Sequence, residues 1–143
     1  MAADPRSQGD GASPFAAQRA ALVLVAHGSR RQASNDEVRE LTERLRRLSG
    51  ARYATVEMGF LELADPPLAQ ALDAAAAAGA SEVVVVPYFL AAGRHVSDDV
   101  PSEVDACRAR FPHVSFRVTR HLGAVESLAD VVLDVAGLGT AGP

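Results

Sequence analysis

Four short apolar runs divide the chain, at residues 22–25, 53–60, 83–86 and 114–118. The first and third are unbroken leucine and valine, the pattern of parallel strands covered on both faces. The second and fourth are weaker and partly alternate with polar residues, which suits edge strands. Between the runs the apolar period lengthens to that of a helix. Residues 34–48 set Val38, Leu41, Leu45 and Leu48 on one stripe, with Arg and Glu elsewhere. Ser34 and Glu37 have the spacing of a capping box at its start. Asp65 and Pro66 read as an N-cap followed by proline at the first helical position, and Gly79 as the stop of that second helix. The alanines at 74–78 between them read as a close-packing face. A third helix is expected to begin near Ser97 or Asp98 and run to Arg110. Pro101 is tolerated in its first turn, where amides have no helical partner. The fourth helix holds Val125, Leu128, Val132 and Val135 on one stripe.

The alternation of strands and helices predicts an α/β domain: three αβα layers around a four-stranded parallel sheet. Right-handed crossovers, with the two most apolar runs at the centre, give the strand order 2-1-3-4. The chain then leaves strands one and three in opposite directions. The space beyond their carboxyl ends is a topological switch point, where open α/β sheets bind ligands. Residues 20–136 form the expected domain. Residues 1–19, rich in Ala, Ser, Gly and Asp, read as a flexible tail, and 137–143 as a flexible end. The apolar run at 20–26 reads as a buried strand rather than part of a signal peptide, because it is short and leads directly into His27-Gly28-Ser29-Arg30. No segment approaches the roughly 20 apolar residues of a membrane span, and a cytoplasmic location is expected.

Composition narrows the chemistry. Of 143 residues, 48% are hydrophobic and 22% charged, as in a soluble globular protein. The net charge of −4 argues against a nucleic-acid binder held by a general basic surface. One cysteine excludes an internal disulfide framework and any CxxC motif. Cys107 lies inside the third helix and reads as a small packing residue. All 14 basic residues are arginine, and without lysine neither a Walker A loop nor a Schiff-base enzyme is possible.

Candidate chemistry gathers at the switch point. The loop after strand one carries His27, Gly28, Ser29, Arg30 and Arg31. The loop after strand three carries Tyr88 and, further on, Arg94 and His95, while Glu62 follows strand two. Two imidazoles and a carboxylate suit a divalent transition metal with open positions, and they can also accept protons near neutral pH. Each residue has a plainer alternative: the histidines as hydrogen-bonding loop residues, Glu62 as a solvated charge, the arginines as solubilising groups. The shared location of Arg30, Arg31 and Arg94 points to anionic ligands. His113 falls at the opposite, amino-terminal edge and reads as structural. His121, at the exit of strand four, is left open.

These residues resemble a known family, the small class II chelatases of tetrapyrrole biosynthesis: the sirohydrochlorin cobaltochelatases of CbiX type and their ferrochelatase relatives. The resemblance rests on Val25-Ala26-His27-Gly28-Ser29-Arg30, on the run from Gly59-Phe60-Leu61-Glu62 to Asp65-Pro66, and most specifically on Pro87-Tyr88-Phe89-Leu90-Ala91-Ala92-Gly93-Arg94-His95-Val96 with Asp98-Asp99-Val100-Pro101 after it. It implies insertion of a divalent metal into sirohydrochlorin, an octacarboxylate tetrapyrrole, with Co²⁺ ranked first and Fe²⁺ or Ni²⁺ possible. By position, His27 and His95 match the family's metal-handling histidines and Glu62 its catalytic acidic residue. Ser29, Arg30, Arg31, Tyr88 and Arg94 are the expected substrate-binding residues. The resemblance implies no cofactor beyond the substrate metal. It is to the short form, expected to work as a homodimer with active sites near the subunit junction, with neither nucleic acid nor membrane as partner.

Three other readings compete. A carrier of metal or tetrapyrrole would use the same residues without turnover. A histidine phosphatase would place arginine directly before the histidine, where this chain has Ala26. A flavodoxin-like signalling domain would want a carboxylate at the exit of strand one.

Overall fold

The structure, a computed structural model, describes residues 20–139 apart from the side chain of His95. The tail expected at 1–19 and the last residues, 140–143, lie outside the described residues. The elements run β1 (Ala20–Ala26), α1 (Gln32–Ser49), β2 (Thr55–Phe60), α2 (Leu68–Ala77), β3 (Glu82–Pro87), α3 (Val100–Arg110), β4 (Ser115–Val118) and α4 (Ser127–Gly137). The strands are all parallel, in the order β2-β1-β3-β4, as the apolar pattern predicts. β1 and β3 are central, and their carboxyl ends flank the switch point.

Successive strand residues face opposite sides of the sheet. Ala21, Val23 and Val25 of β1 and Val83 and Val85 of β3 pack on one face against Leu68 and Leu72 of α2 and Val100 and Val104 of α3. These side chains are almost wholly buried, the valines and leucines among them each worth about 1.5–3 kcal/mol of transfer free energy. The alanines of α2 allow close approach: Ala71, Ala75 and Ala76 are buried. On the opposite face Leu22, Val56 and Val84 form a smaller cluster with Leu45 and Tyr53.

Several local expectations are corrected. α1 starts at Gln32, with Arg31 at the N-cap position and no side-chain cap, so Ser34 and Glu37 lie within the helix and form no capping box. The Asp65–Pro66 peptide is cis, and α2 begins only at Leu68 with Pro67 before it, so Asp65 does not cap it. Gly79 does end α2: its φ is +95° and its N–H donates to the Ala76 carbonyl. α3 begins at Val100, later than expected, because a π-helical turn (His95–Asp99) occupies the residues before it. Leu48 is 74% exposed, off the end of its stripe. On α4 the stripe is left largely uncovered: Leu128 is half-buried, and among the described residues no side chain of this helix is fully buried.

Cys107 is fully buried between α2 and α3. Burial, and then the adjacent Asp73 carboxylate, push its thiol up to about 12. Burial also acts to raise Asp73, but its hydrogen bonds with Arg110 and Cys107 outweigh this and hold the carboxyl below its ordinary value. The Arg110 guanidinium donates to Asp73 at 2.6 Å, tying α3 to α2.

Candidate functional site

The site begins with backbone hydrogen bonds that continue the sheet past its strands. Ala26 pairs in register with Phe60. Beyond it, Leu61 N–H donates to the Ala26 carbonyl and Glu62 N–H to the His27 carbonyl, both at 3.0 Å. This fixes Glu62 beside His27, and His27 Nε2 lies 2.8 Å from Glu62 Oε1. The two side chains are 42% and 51% exposed, within reach of both ligand and solvent.

Gly28 is required by the same close approach. Its φ is +94°, and a Cβ there would stand 1.7 Å from the Glu62 carbonyl oxygen. Only glycine allows the two loops to pass.

Asn35, missed by sequence reasoning, holds the next residues. It is buried in the first turn of α1. Its Oδ1 accepts from Ser29 N–H at 2.9 Å and its Nδ2 donates to the Ser29 carbonyl at 2.8 Å. Ser29 Oγ in turn accepts from Arg31 N–H at 3.0 Å. The predicted ligand Ser29 is thus also a turn-forming residue. The signal in sequence was a polar amide among the apolar positions of an amphipathic helix.

His27, Gly28 and Ser29 line a cleft of about 240 Å³ with Phe60, Val38 and Tyr88. Tyr88 is held by its N–H donating to the Val25 carbonyl at 2.7 Å. Glu62 also faces a smaller hollow, shared with Leu61, Asp99, Ser102 and Glu103. Asp99 and Glu103 were likewise not anticipated as neighbours of Glu62. Their four-residue spacing across the start of α3 puts both on one side of that element.

Arg30, Arg31 and Arg94 are exposed; the first two follow Ser29 of the cleft directly, and none of the three lines it. His95 opens the π-helical turn after β3, and its side chain lies outside the described part of the structure. Among the described residues no group of three His, Cys, Asp or Glu is gathered closely enough to hold a metal ion. His113 is exposed at the opposite edge, before β4, and His121 precedes the helical turn Leu122–Ala124 on the carboxyl side.

Comparison with known proteins places the chain in a family. Over 113 residues the chain is 37% identical to the chloroplastic sirohydrochlorin ferrochelatase of Arabidopsis thaliana, covering 79% of this chain and 49% of that protein. It is 42% identical over 81 residues to the sirohydrochlorin cobaltochelatase of Methanopyrus kandleri, covering 57% and 55%. The chain spans about half the length of these curated relatives. Among solved structures it is similar to the CbiX protein of Marinobacter aquaeolei VT8, with a TM-score of 0.69 and 30% identity over 82% of this chain and 93% of that one. It is also similar to the cobalt complex of the sirohydrochlorin chelatase SirB from Bacillus subtilis subspecies spizizenii, with a TM-score of 0.71 and 27% identity over 80% and 48%. The CbiX family model matches residues 21–136, which hold the sheet from Ala21 onward and every residue lining the cleft, and the chain therefore belongs to the CbiX family.

Proposed function

We propose that the chain inserts a divalent metal into sirohydrochlorin, with Co²⁺ first in rank and Fe²⁺ or Ni²⁺ as alternatives. The observation that carries this reading is the contact of His27 with Glu62 at 2.8 Å, on the edge of an open cleft at the switch point. The names of the relatives, ferrochelatase and cobaltochelatase, support the reaction class and leave the metal open.

Insertion replaces two protons on inner ring nitrogens by one dication, so two protons must leave for each metal that enters. An imidazole against a carboxylate accepts a proton without building up net charge, and the exposure of both groups lets water carry it away. Glu62, Asp99 and Glu103 make the adjoining hollow acidic, which concentrates a hydrated dication beside the cleft. The metal is a passing substrate. The macrocycle itself supplies four nitrogens, so the protein need offer only a few exchangeable ligands, and His27 with His95 fill that role in this proposal. Arg30, Arg31 and Arg94 pair with the peripheral carboxylates, and Ser29 and Tyr88 contact the ring edge.

A cleft of about 240 Å³ is below the usual 300–1,000 Å³ of sites that enclose a drug-sized ligand. It takes one edge of a macrocycle. The proposal therefore includes a homodimer, acting in the cytoplasm, in which a second copy covers the rest.

Anaerobic absorbance spectroscopy tests the proposal. Sirohydrochlorin is mixed with Co²⁺, Fe²⁺ or Ni²⁺ in turn, with and without substoichiometric protein. Metallation many times faster than the uncatalysed reaction, continuing past one equivalent per chain, is expected for at least one metal. A spectral change that stops at one ligand per chain would mark a carrier instead.

A further inference from the structure

We infer that two copies of the chain exchange their last helices, α4 of each lying in an apolar groove of the other. The inference rests on the homodimer proposed above and names the surfaces that make it.

Two unsatisfied apolar surfaces stand on the same chain. The first is α4, where Val131, Val132, Leu133 and Val135 are between 51% and 70% exposed. An eleven-residue helix is too short to hold its shape in water unless a face of it is packed. The second is a groove of about 350 Å³ floored by Leu22, Leu24 and Val86 and walled by Leu41 and Leu45 of α1. Tyr88 and Leu122 close its upper end.

The occupant is a second copy for three reasons. First, the direction of α4 is set by continuous hydrogen bonding. Gly123 N–H donates to the Phe89 carbonyl, Val125 N–H to Leu122, and Leu128 N–H to Val125. Gly123 is pressed so close to the loop after β3 that a Cβ there would stand 1.8 Å from the Leu90 carbonyl oxygen. The helix leaves along a braced path, not from a slack linker. Second, α4 is apolar around more than one face: Leu133 lies far around the helix from the stripe of Leu128, Val131, Val132 and Val135. A single groove covers one face, whereas a two-fold interface covers the helix with the partner's groove on one side and the partner's own α4 on the other. Third, charges match. α4 carries Asp130 and Asp134 and no basic residue, while exposed Arg44 and Arg47 border the stripe of α1 at its carboxyl-terminal half, with Glu37 and Glu40 towards its other end.

The areas are sufficient. A helix of this length is about 16 Å long and 10 Å wide, so one face covers roughly 250 Å². Two helices and two grooves together reach about 1,000 Å², the size from which specific interfaces become stable. Tyr88 lines both this groove and the cleft of His27, so a seated helix also forms the back of the cleft wall.

The test uses the full chain carrying Leu41→Cys and Val132→Cys, oxidised with glutathione disulfide. The native Cys107 is fully buried and stays out of reach. A chain that is dimeric in solution and becomes a covalent dimer on a denaturing gel is expected. A disulfide closed within one chain would overturn the exchange in favour of a helix folded on its own groove. A dimer that forms no inter-chain link would overturn the exchange and leave the dimer standing, whereas a monomer would overturn both. As a second arm, Val132→Glu is expected to raise the dimer dissociation constant about 100-fold or more, through a charge buried in the interface. Its urea transition should stay cooperative, since the position is unburied within the single chain, and its helical circular dichroism should fall by no more than the share of α4. An undiminished dimer in this variant would also overturn the exchange.

Discussion

His27 and Glu62, 35 positions apart in sequence, meet at 2.8 Å because the hydrogen-bond ladder between β1 and β2 continues past both strand ends, one residue beyond β1 and two beyond β2. Two separate loop residues thereby become one proton-accepting unit. If they act as a unit, removing either should cost nearly as much as removing both. Glu62→Gln and His27→Gln are each expected to lower the metallation rate by about 100-fold or more, and the double variant by little beyond that. Initial rates for the four proteins, read by absorbance under anaerobic conditions, give the coupling directly.

Gly28→Ala should damage the site more selectively than the fold. The new methyl would displace the Glu62 backbone and also force an unfavourable positive φ, a cost of about 1–3 kcal/mol. Urea denaturation should show that loss with the transition still cooperative. The metallation rate should fall much further than stability, because the separation of His27 and Glu62 changes.

Asn35→Ala removes both partners of the Ser29 backbone at once. Each buried group left unpaired costs about 1–3 kcal/mol. Asn35→Asp keeps an acceptor for Ser29 N–H but cannot donate to the Ser29 carbonyl, so it should fall between wild type and alanine. Thermal midpoints of the three proteins, with hydrogen exchange at residues 29–31, would order them.

Stability should decline in alkaline solution through Cys107. Its folded thiol is pushed up to about 12 from an ordinary value of 9.0, so the folded state holds its proton more tightly than the unfolded chain. That contribution is complete below about pH 9 and is lost as the pH climbs towards 12. The Cys107→Ala variant should show a flatter stability profile over this window. Asp73, held below its usual value, acts in the opposite sense: its share is lost as the pH falls into the acid range. Urea midpoints against pH for both proteins test the two signs.

The sheet was legible because β1 and β3 are continuous apolar runs, which mark central strands whatever surrounds them. The pairing of His27 with Glu62 was only half legible: the switch point brings their loops to one edge, but the contact itself needs the backbone ladder beyond the strands. Asn35 was hidden because its partner, Ser29, lies six residues back in a loop whose path a one-dimensional pattern does not describe. Asp65 and Ser34 looked like helix caps because their residue types favour caps, yet α2 starts only at Leu68 after Pro67, and α1 starts already at Gln32. The stripe of α4 was read correctly as apolar, but the same stripe serves a helix packed on its own sheet or on a neighbour's. Periodicity reports that a face must be covered and is silent on what covers it.

The most direct test of the proposed chemistry is the anaerobic turnover of sirohydrochlorin and Co²⁺ by substoichiometric wild-type, His27→Ala and His95→Ala protein. The wild type is expected to complete many turnovers per chain, while both variants fall to the uncatalysed rate with unchanged circular dichroism. Near-native turnover in both variants would contradict the assignment of the two histidines to metal insertion.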